Sequence, residues 1–278
     1  MAIAAWSSRQ SRFRWRTFLH ANYREGSRES MGKKVEIYWL HVDEEVQPAE
    51  LNSCLEVLDQ EEKAVYERYR VDFKKVEFLL GRMLLKRMIG QKLGVLPQEV
   101  RFIKNEYGKL FLDSRNVTGS IKRPLFFNLS HSDRMLVCAI SEIETTGIDV
   151  EAAKKDCCFE VMRSVFVPKE IAYVEQQGTP SMKREAFYQL WTRKEAVMKA
   201  LGKGFSLPPL SFSVPLARGR VDEQSFSYYT FAPMEGYMVS AVVEREEESE
   251  ILYAVERVAF TELKASMGFT PYRGAFYG

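Results

Sequence analysis

The sequence predicts an α+β protein made of two similar halves, on three observations. Helical patterning gives way to strand-like patterning twice along the chain. With 278 residues, 46% of them hydrophobic, the chain holds more than the roughly 250 residues at which a single core stops growing efficiently. Finally, Gly81 to Gly90 and Arg193 to Gly202 form a faint internal echo, each placing a basic residue eight positions before its terminal glycine (Arg82, Lys194).

The elements are expected in the following order. Residues 1–32 are rich in Ser and Arg and lack sustained periodicity, so a disordered extension is expected there; a true start at Met31 explains it more simply than an organelle transit peptide. A strand is expected at Val35 to Val42. After Pro48 come two short helices, Ala49 to Leu58 and Gln60 to Arg70, the latter with Asp59 as N-cap. A longer amphipathic helix then runs from Lys74 to Leu93 and is closed by Gly94, its apolar face carrying Val76, Leu80, Met83, Leu84 and Met88. Short strands follow at Arg101 to Lys104, Leu110 to Leu112, Leu125 to Asn128, Met135 to Ser141 and Gly147 to Val150, with a turn at Asn105 to Lys109 and a loop over residues 113–124. Helices return after Cys158, with Pro168 suited to an N1 position, and a long one from Ser181 to Leu201 is stopped by Gly202. Strand-like runs close the chain at Ser211 to Val214, Ser225 to Phe231, Tyr237 to Val243 and Ile251 to Val258. The halves are placed at 33–145 and 146–262, with a tail over 263–278.

Composition excludes several classes. The formal net charge is +2, and since residues 1–32 hold six Arg and two Glu, the remainder is slightly acidic; a globally basic nucleic-acid binder is disfavoured. No segment approaches the ~20 apolar residues of a membrane span, and Met1 to Trp6 has no basic flank to act as a secretory signal. Cys54, Cys138, Cys157 and Cys158 form no C-x-x-C pair, so a reducing, cytoplasmic compartment is expected.

Three strings carry chemistry. Gly147-Ile-Asp149-Val-Glu151 is an apolar strand with two carboxylates two residues apart, hence on one face. Such a pair invites a hard cation between its oxygens, although taken alone an edge strand with one wet face explains it more simply. Trp191-Thr-Arg-Lys194-Glu195-Ala-Val-Met-Lys199 sets Trp191, Glu195 and Lys199 one helical turn apart. That spacing fits a partly buried cleft beside the indole, or a surface ion pair worth only ~0.3 to 0.5 kcal/mol. Phe126-Phe-Asn128-Leu-Ser130-His131-Ser132-Asp133 reads as a strand entering a turn whose hydroxyl, imidazole and amide groups could bind phosphate, or simply as a hydrogen-bonded turn.

Together, in this order and at these spacings, the strings resemble the 4′-phosphopantetheinyl transferases of the surfactin-synthetase-activating (Sfp) type, whose pattern is N-[LIV]-S-H-S, then G-[IV]-D-[IV]-E, then W-x-x-K-E-x-x-x-K. Glu106-Tyr-Gly-Lys109 resembles that family's E-x-G-K-P turn, with Leu110 where Pro is usual. The resemblance covers roughly residues 33–260. It implies an intramolecular pseudo-dimer of α+β halves with coenzyme A between them, acting as a monomer. The implied reaction moves the phosphopantetheine arm of coenzyme A to a serine of an acyl or peptidyl carrier protein, releasing 3′,5′-ADP.

By the same resemblance Asp149, Glu151 and Glu195 would hold Mg²⁺, with Mn²⁺ able to replace it. Glu195, directly or through a water, would be the base and Lys199 would meet charge on the leaving 3′,5′-ADP. Ser130, His131 and Lys194 are implied as phosphate contacts and Lys109 as a contact near the nucleotide. Glu62 and Val65 stand where the family often has lysines, which makes Lys63 and Arg68 the substitutes for the 3′-phosphate. Two rivals compete: a non-catalytic binding protein on the same fold, and another Mg²⁺-dependent phosphotransferase. The intact carboxylates speak against the first, and the lack of a G-x-x-x-x-G-K-[ST] loop against the second.

Overall fold

The computed structural model describes residues 32–43, 45–113, 115, 124–153, 159–246 and 249–267. The expectations for residues 1–31, for Cys157 and Cys158, for most of the 113–124 loop and for residues 268–278 lie outside the described residues.

Each half opens with a strand, continues with helices that end in a long one, and closes with antiparallel strands. The first half runs β1 (Lys33–His41), a 3₁₀ helix (Pro48–Val57), α1 (Gln60–Arg68), α2 (Asp72–Leu93), β2 (Phe102–Lys104), β3 (Leu110–Leu112), β4 (Phe126–Ser132) and β5 (Met135–Ser141). The second runs β6 (Thr146–Ala152), α3 (Met162–Val165), α4 (Pro168–Glu175), α5 (Pro180–Ala200), β7 (Arg220–Glu223), β8 (Phe226–Phe231) and β9 (Tyr237–Glu244), followed by β10 (Ile251–Arg257) and α6 (Phe260–Met267). The sheet orders are β10-β1-β5-β4 and β6-β9-β8-β7, with β2 and β3 forming a separate hairpin. In both large sheets the half's first strand pairs antiparallel with the second strand of a hairpin, β1 with β5 and β6 with β9.

Period-two alternation fixes the layers. Val35 and Ile37 of β1 and Met135, Val137 and Ala139 of β5 face the second sheet, where they meet Ile148 and Val150 of β6 and Val239, Ala241 and Val243 of β9. The opposite faces, with Leu40, Leu136, Cys138 and Ile140, pack on α2. In the second half α5 covers Tyr228 and Val242. The result is helix, sheet, sheet, helix.

The echo between the halves is a buried ion pair in each. Asp59 caps α1 and its N3 residue, Glu62, reaches Arg82 Nε of α2 at 2.9 Å. Glu170, the N3 residue of α4, reaches Lys194 Nζ of α5 at 3.1 Å. Arg82 and Lys194 are the two basic residues eight positions before a glycine. Glu62 also binds Lys86, so this carboxylate, at a position where the resemblance leads one to expect a lysine, has a structural use.

Three expectations are corrected. Residues 211–214 do not form a strand; a 3₁₀ turn spans Pro209–Ser211, and its carbonyl-rich surroundings serve Lys194. Ser130, His131 and Ser132 are not a turn but the end of β4, the reversal coming at Asp133 with φ 54°. The chain also leaves the second half before residue 262, because β10 pairs parallel with β1 and the residues of α6 pack on the first-half core. That crossover is a long-range pairing that no local pattern announces. Among the described residues no helix is long and apolar enough to cross a membrane.

Candidate active site

The facing sides of β6 and α5 build the site. On β6, Ile148 and Val150 go to the core between the sheets, which leaves Gly147, Asp149 and Glu151 on the face toward α5. Gly147 lies directly under the helix: a Cβ there would sit 2.1 Å from Ala196 O and 2.5 Å from Ala200 N. Only glycine allows so close an approach, and it brings the helix's half-buried residues Trp191, Glu195 and Lys199 down onto the carboxylates.

Lys199 Nζ lies 2.6 Å from Asp149 Oδ1 and 2.7 Å from Ser130 Oγ, and Ser130 Oγ donates to Asp149 Oδ1 at 2.9 Å. Trp191 Nε1 donates to Glu151 Oε1 at 3.0 Å, and Ser132 Oγ to Glu151 Oε2 at 3.0 Å. Within this cluster two buried carboxylate oxygens are left with no hydrogen-bond partner, Asp149 Oδ2 and Glu195 Oε1. Burial and the charge of Asp149 push Glu195 up to about 7, Lys199 opposing and Glu151 adding to the rise. Glu151 is raised by burial and by Asp149, against the hydrogen bonds of Trp191 and Ser132 and the charge of Lys199.

β4 and β6 are edge strands of different sheets, and side chains rather than backbone pairs join them. Asn128, Ser130 and Ser132 share one face of β4. Asn128 Oδ1 accepts from Ile148 N at 3.0 Å, Ser130 bonds Asp149, and Ser132 Oγ accepts from Ala152 N at 3.1 Å while donating to Glu151. The N-x-S-x-S spacing is therefore a ladder that satisfies the open edge of β6. Its period of two was the available signal for Asn128 and Ser132. His131 points the other way, its Nδ1 3.1 Å from Glu77 Oε2, and Glu77 also pairs with Lys74 at 2.8 Å. Burial alone would raise Glu77, but the bonds from His131 and Lys74 hold it below the usual carboxylate range.

The other expected site residues are placed elsewhere. Lys194 is not exposed to a ligand: its side chain is 1% exposed and its ammonium is taken up by Glu170, Pro209 O (2.8 Å) and Phe212 O (2.7 Å). Adjacent helix positions diverge by about 100°, so Lys194 faces inward when Glu195 faces β6. Lys109 Nζ lies 2.6 Å from Ala200 O and 3.3 Å from Thr146 O. Lys63 and Arg68 are exposed on α1, Arg68 donating to Ala64 O of its own helix, and the structure does not bring them into the Asp149–Lys199 cluster.

Among the described residues no group of three His, Cys, Asp or Glu side chains stands as a ready-made metal site. The donor chemistry nevertheless fits a hard cation, because both partnerless oxygens belong to carboxylates and the charge of Asp149 raises the proton affinity of Glu195.

Comparison with known proteins finds matches in both halves. The model of the 4′-phosphopantetheinyl transferase superfamily matches residues 145–241, and that of the 4′-phosphopantetheinyl transferase N-terminal region matches residues 45–143. The chain is 30% identical over 178 residues to the 4′-phosphopantetheinyl transferase gsp of Aneurinibacillus migulanus, covering 64% of this chain and 70% of that protein. It is 28% identical over 182 residues to the 4′-phosphopantetheinyl transferase Sfp of Bacillus subtilis strain 168 (66% and 77%). To the 4′-phosphopantetheinyl transferase HetI of a Nostoc species it is 31% identical over 160 residues (57% and 65%). Kinship thus runs through both halves, and the chain belongs to the 4′-phosphopantetheinyl transferases, of the Sfp type.

Proposed function

We propose that this transferase moves the phosphopantetheine arm of coenzyme A to a serine of an acyl or peptidyl carrier protein with Mg²⁺ as its metal, releasing 3′,5′-ADP. The observation that carries the metal and its place is the pair of buried, partnerless oxygens Asp149 Oδ2 and Glu195 Oε1 beside Lys199. Asp149, Glu151 and Glu195 would hold the cation, and Mn²⁺ accepts the same oxygen donors. Bound there, it would offset charge on the pyrophosphate and stabilise the leaving phosphate.

The chain's own residues supply the rest. The carrier serine Oγ attacks the β-phosphorus of the pyrophosphate, the bond from that phosphorus to the bridging oxygen breaks, and 3′,5′-ADP departs with the bridging electron pair. Glu195, directly or through a water, takes the serine proton. Lys199, 29% exposed at its side chain, is the cation open to the leaving phosphate. Ser130 holds Lys199 and Asp149 in register from the first half, and His131 presents its ring on the α2 side for a second phosphate, with Lys63 and Arg68 as further basic groups at a distance. Because both walls of the site come from one chain, a monomer suffices.

Asp149→Asn and Glu195→Gln test the assignment, since each removes a charge without opening a cavity. Each is expected to slow transfer by about 100-fold or more with an unchanged circular dichroism spectrum. Wild-type rates in both would overturn it.

A further inference from the structure

The β2–β3 hairpin of the first half closes over the C-terminal end of α5. Its turn is organised by Asn105, whose Oδ1 accepts from Tyr107 N at 3.0 Å and Lys109 N at 2.9 Å. The other end of the same amide, Nδ2, donates to Gly202 O at 3.2 Å. Lys109 Nζ donates to Ala200 O and to Thr146 O. Gly202, at φ 66°, leaves room for the lysine stem, since a Cβ there would be 3.0 Å from Lys109 Cδ.

These contacts meet two needs at once. The last carbonyls of a helix lack intrahelical partners and attract cationic donors, and here both the donors and the charge come from the other half of the molecule. The two carbonyls that Lys109 grips also flank the reactive geometry. Ala200 follows Lys199 directly, and Thr146 begins the strand that carries Asp149.

We propose that Lys109, aided by Asn105, is a positioning residue that ties the C-terminal turn of α5 to the start of β6 and so sets Lys199 against Asp149. This replaces the nucleotide contact that the resemblance implies for it. The inference rests on the reading of Lys199 as the cation for the leaving phosphate. Burial lowers the Lys109 ammonium to about 8, the charge of Glu144 opposing, in keeping with a side chain drawn partly out of water.

The test is a double-mutant cycle in the full chain, with apo carrier protein, coenzyme A and Mg²⁺, comparing Lys109→Met, Lys109→Arg and Asn105→Ala, each with and without Lys199→Ala. Loss of the latch should lower kcat by about 10- to 100-fold, the scale of a small misplacement of reacting groups. KM for coenzyme A should stay within about twofold of wild type, and Lys109→Arg should recover much of the rate. In the Lys199→Ala background Lys109→Met should cost nothing further, because its effect passes through Lys199. A raised KM for coenzyme A with kcat unchanged, or losses that multiply, would overturn the proposal. Asn105→Ala keeps the lysine and carries the same cycle if Lys109→Met fails to fold.

Amide hydrogen exchange at Leu201 and Gly202 decides the latch independently of activity. Faster exchange in Asn105→Ala or Lys109→Met supports it, and unchanged exchange contradicts it. Were the wild-type chain to transfer nothing, the functional reading would fail while the exchange rates would still separate a latched helix end from a loose one.

Discussion

Trp191 and Glu151, forty residues apart in sequence, are joined by an indole hydrogen bond of 3.0 Å from Nε1 to Oε1. The ring is held in turn by Phe187, stacked on it at 6.3 Å between centroids. Trp191→Phe keeps the packing and deletes the donor, leaving one oxygen of a half-buried carboxylate unserved. Stability should fall by about 1 to 3 kcal/mol in urea unfolding, and transfer should slow. A variant with both unchanged would show that Trp191 acts only as apolar cover.

Lys194 separates a structural role from a phosphate contact. Lys194→Ala strands Glu170 uncompensated in the core, and breaking a buried pair from one side costs about 3 to 5 kcal/mol. The expected outcome is a large loss in denaturant midpoint. A stable variant with a raised KM for coenzyme A would return Lys194 to the ligand site.

Gly147→Ala places a methyl group inside the van der Waals radius of the α5 backbone. Neither strand nor helix can move without breaking the core between the sheets, so the loss should exceed about 3 kcal/mol, with transfer abolished. Near-normal unfolding and activity would mean that α5 does not seat on β6 as described.

Much of this was legible locally. Helices α2 and α5, the caps at Asp59, Gly94 and Gly202, and the strands β5 and β9 follow from periodicity and from residues with special backbone freedom. So does the shared face of Asp149 and Glu151, because strand alternation is a local property. Illegible were the relations that depend on what lies opposite. Lys194 and Glu195 are neighbours in a motif, yet one enters the core and the other the site. The motif around Lys109 says nothing of its target, the end of α5, which lies 91 residues away. The parallel pairing of β10 with β1 joins the two ends of the described chain. Ser130 and His131, adjacent in one string, diverge because they lie on a strand and not in a turn.

The half-buried Lys109 ammonium gives a pH signature of known sign. Burial pushes it down to about 8, the charge of Glu144 opposing, whereas a lysine of the unfolded chain holds its proton to about 10.5. Between those limits the unfolded state binds more protons, so this group adds stability as pH rises and loses that contribution as pH falls through about 8. The stability of wild type relative to Lys109→Met should therefore increase over that window in urea titrations. A difference that is flat, or that shrinks with rising pH, would contradict the lowered proton affinity of Lys109.

The central claim, metal-dependent transfer by this cluster, is tested most directly by the intact mass of a purified apo carrier protein. Acyl and peptidyl carriers would each be incubated with the full chain, coenzyme A and Mg²⁺, beside the same mixture containing EDTA. A gain of one phosphopantetheine that EDTA abolishes is the expected result. No gain on either carrier, with coenzyme A demonstrably bound, would contradict the claim, and a gain that EDTA leaves intact would remove the metal from it.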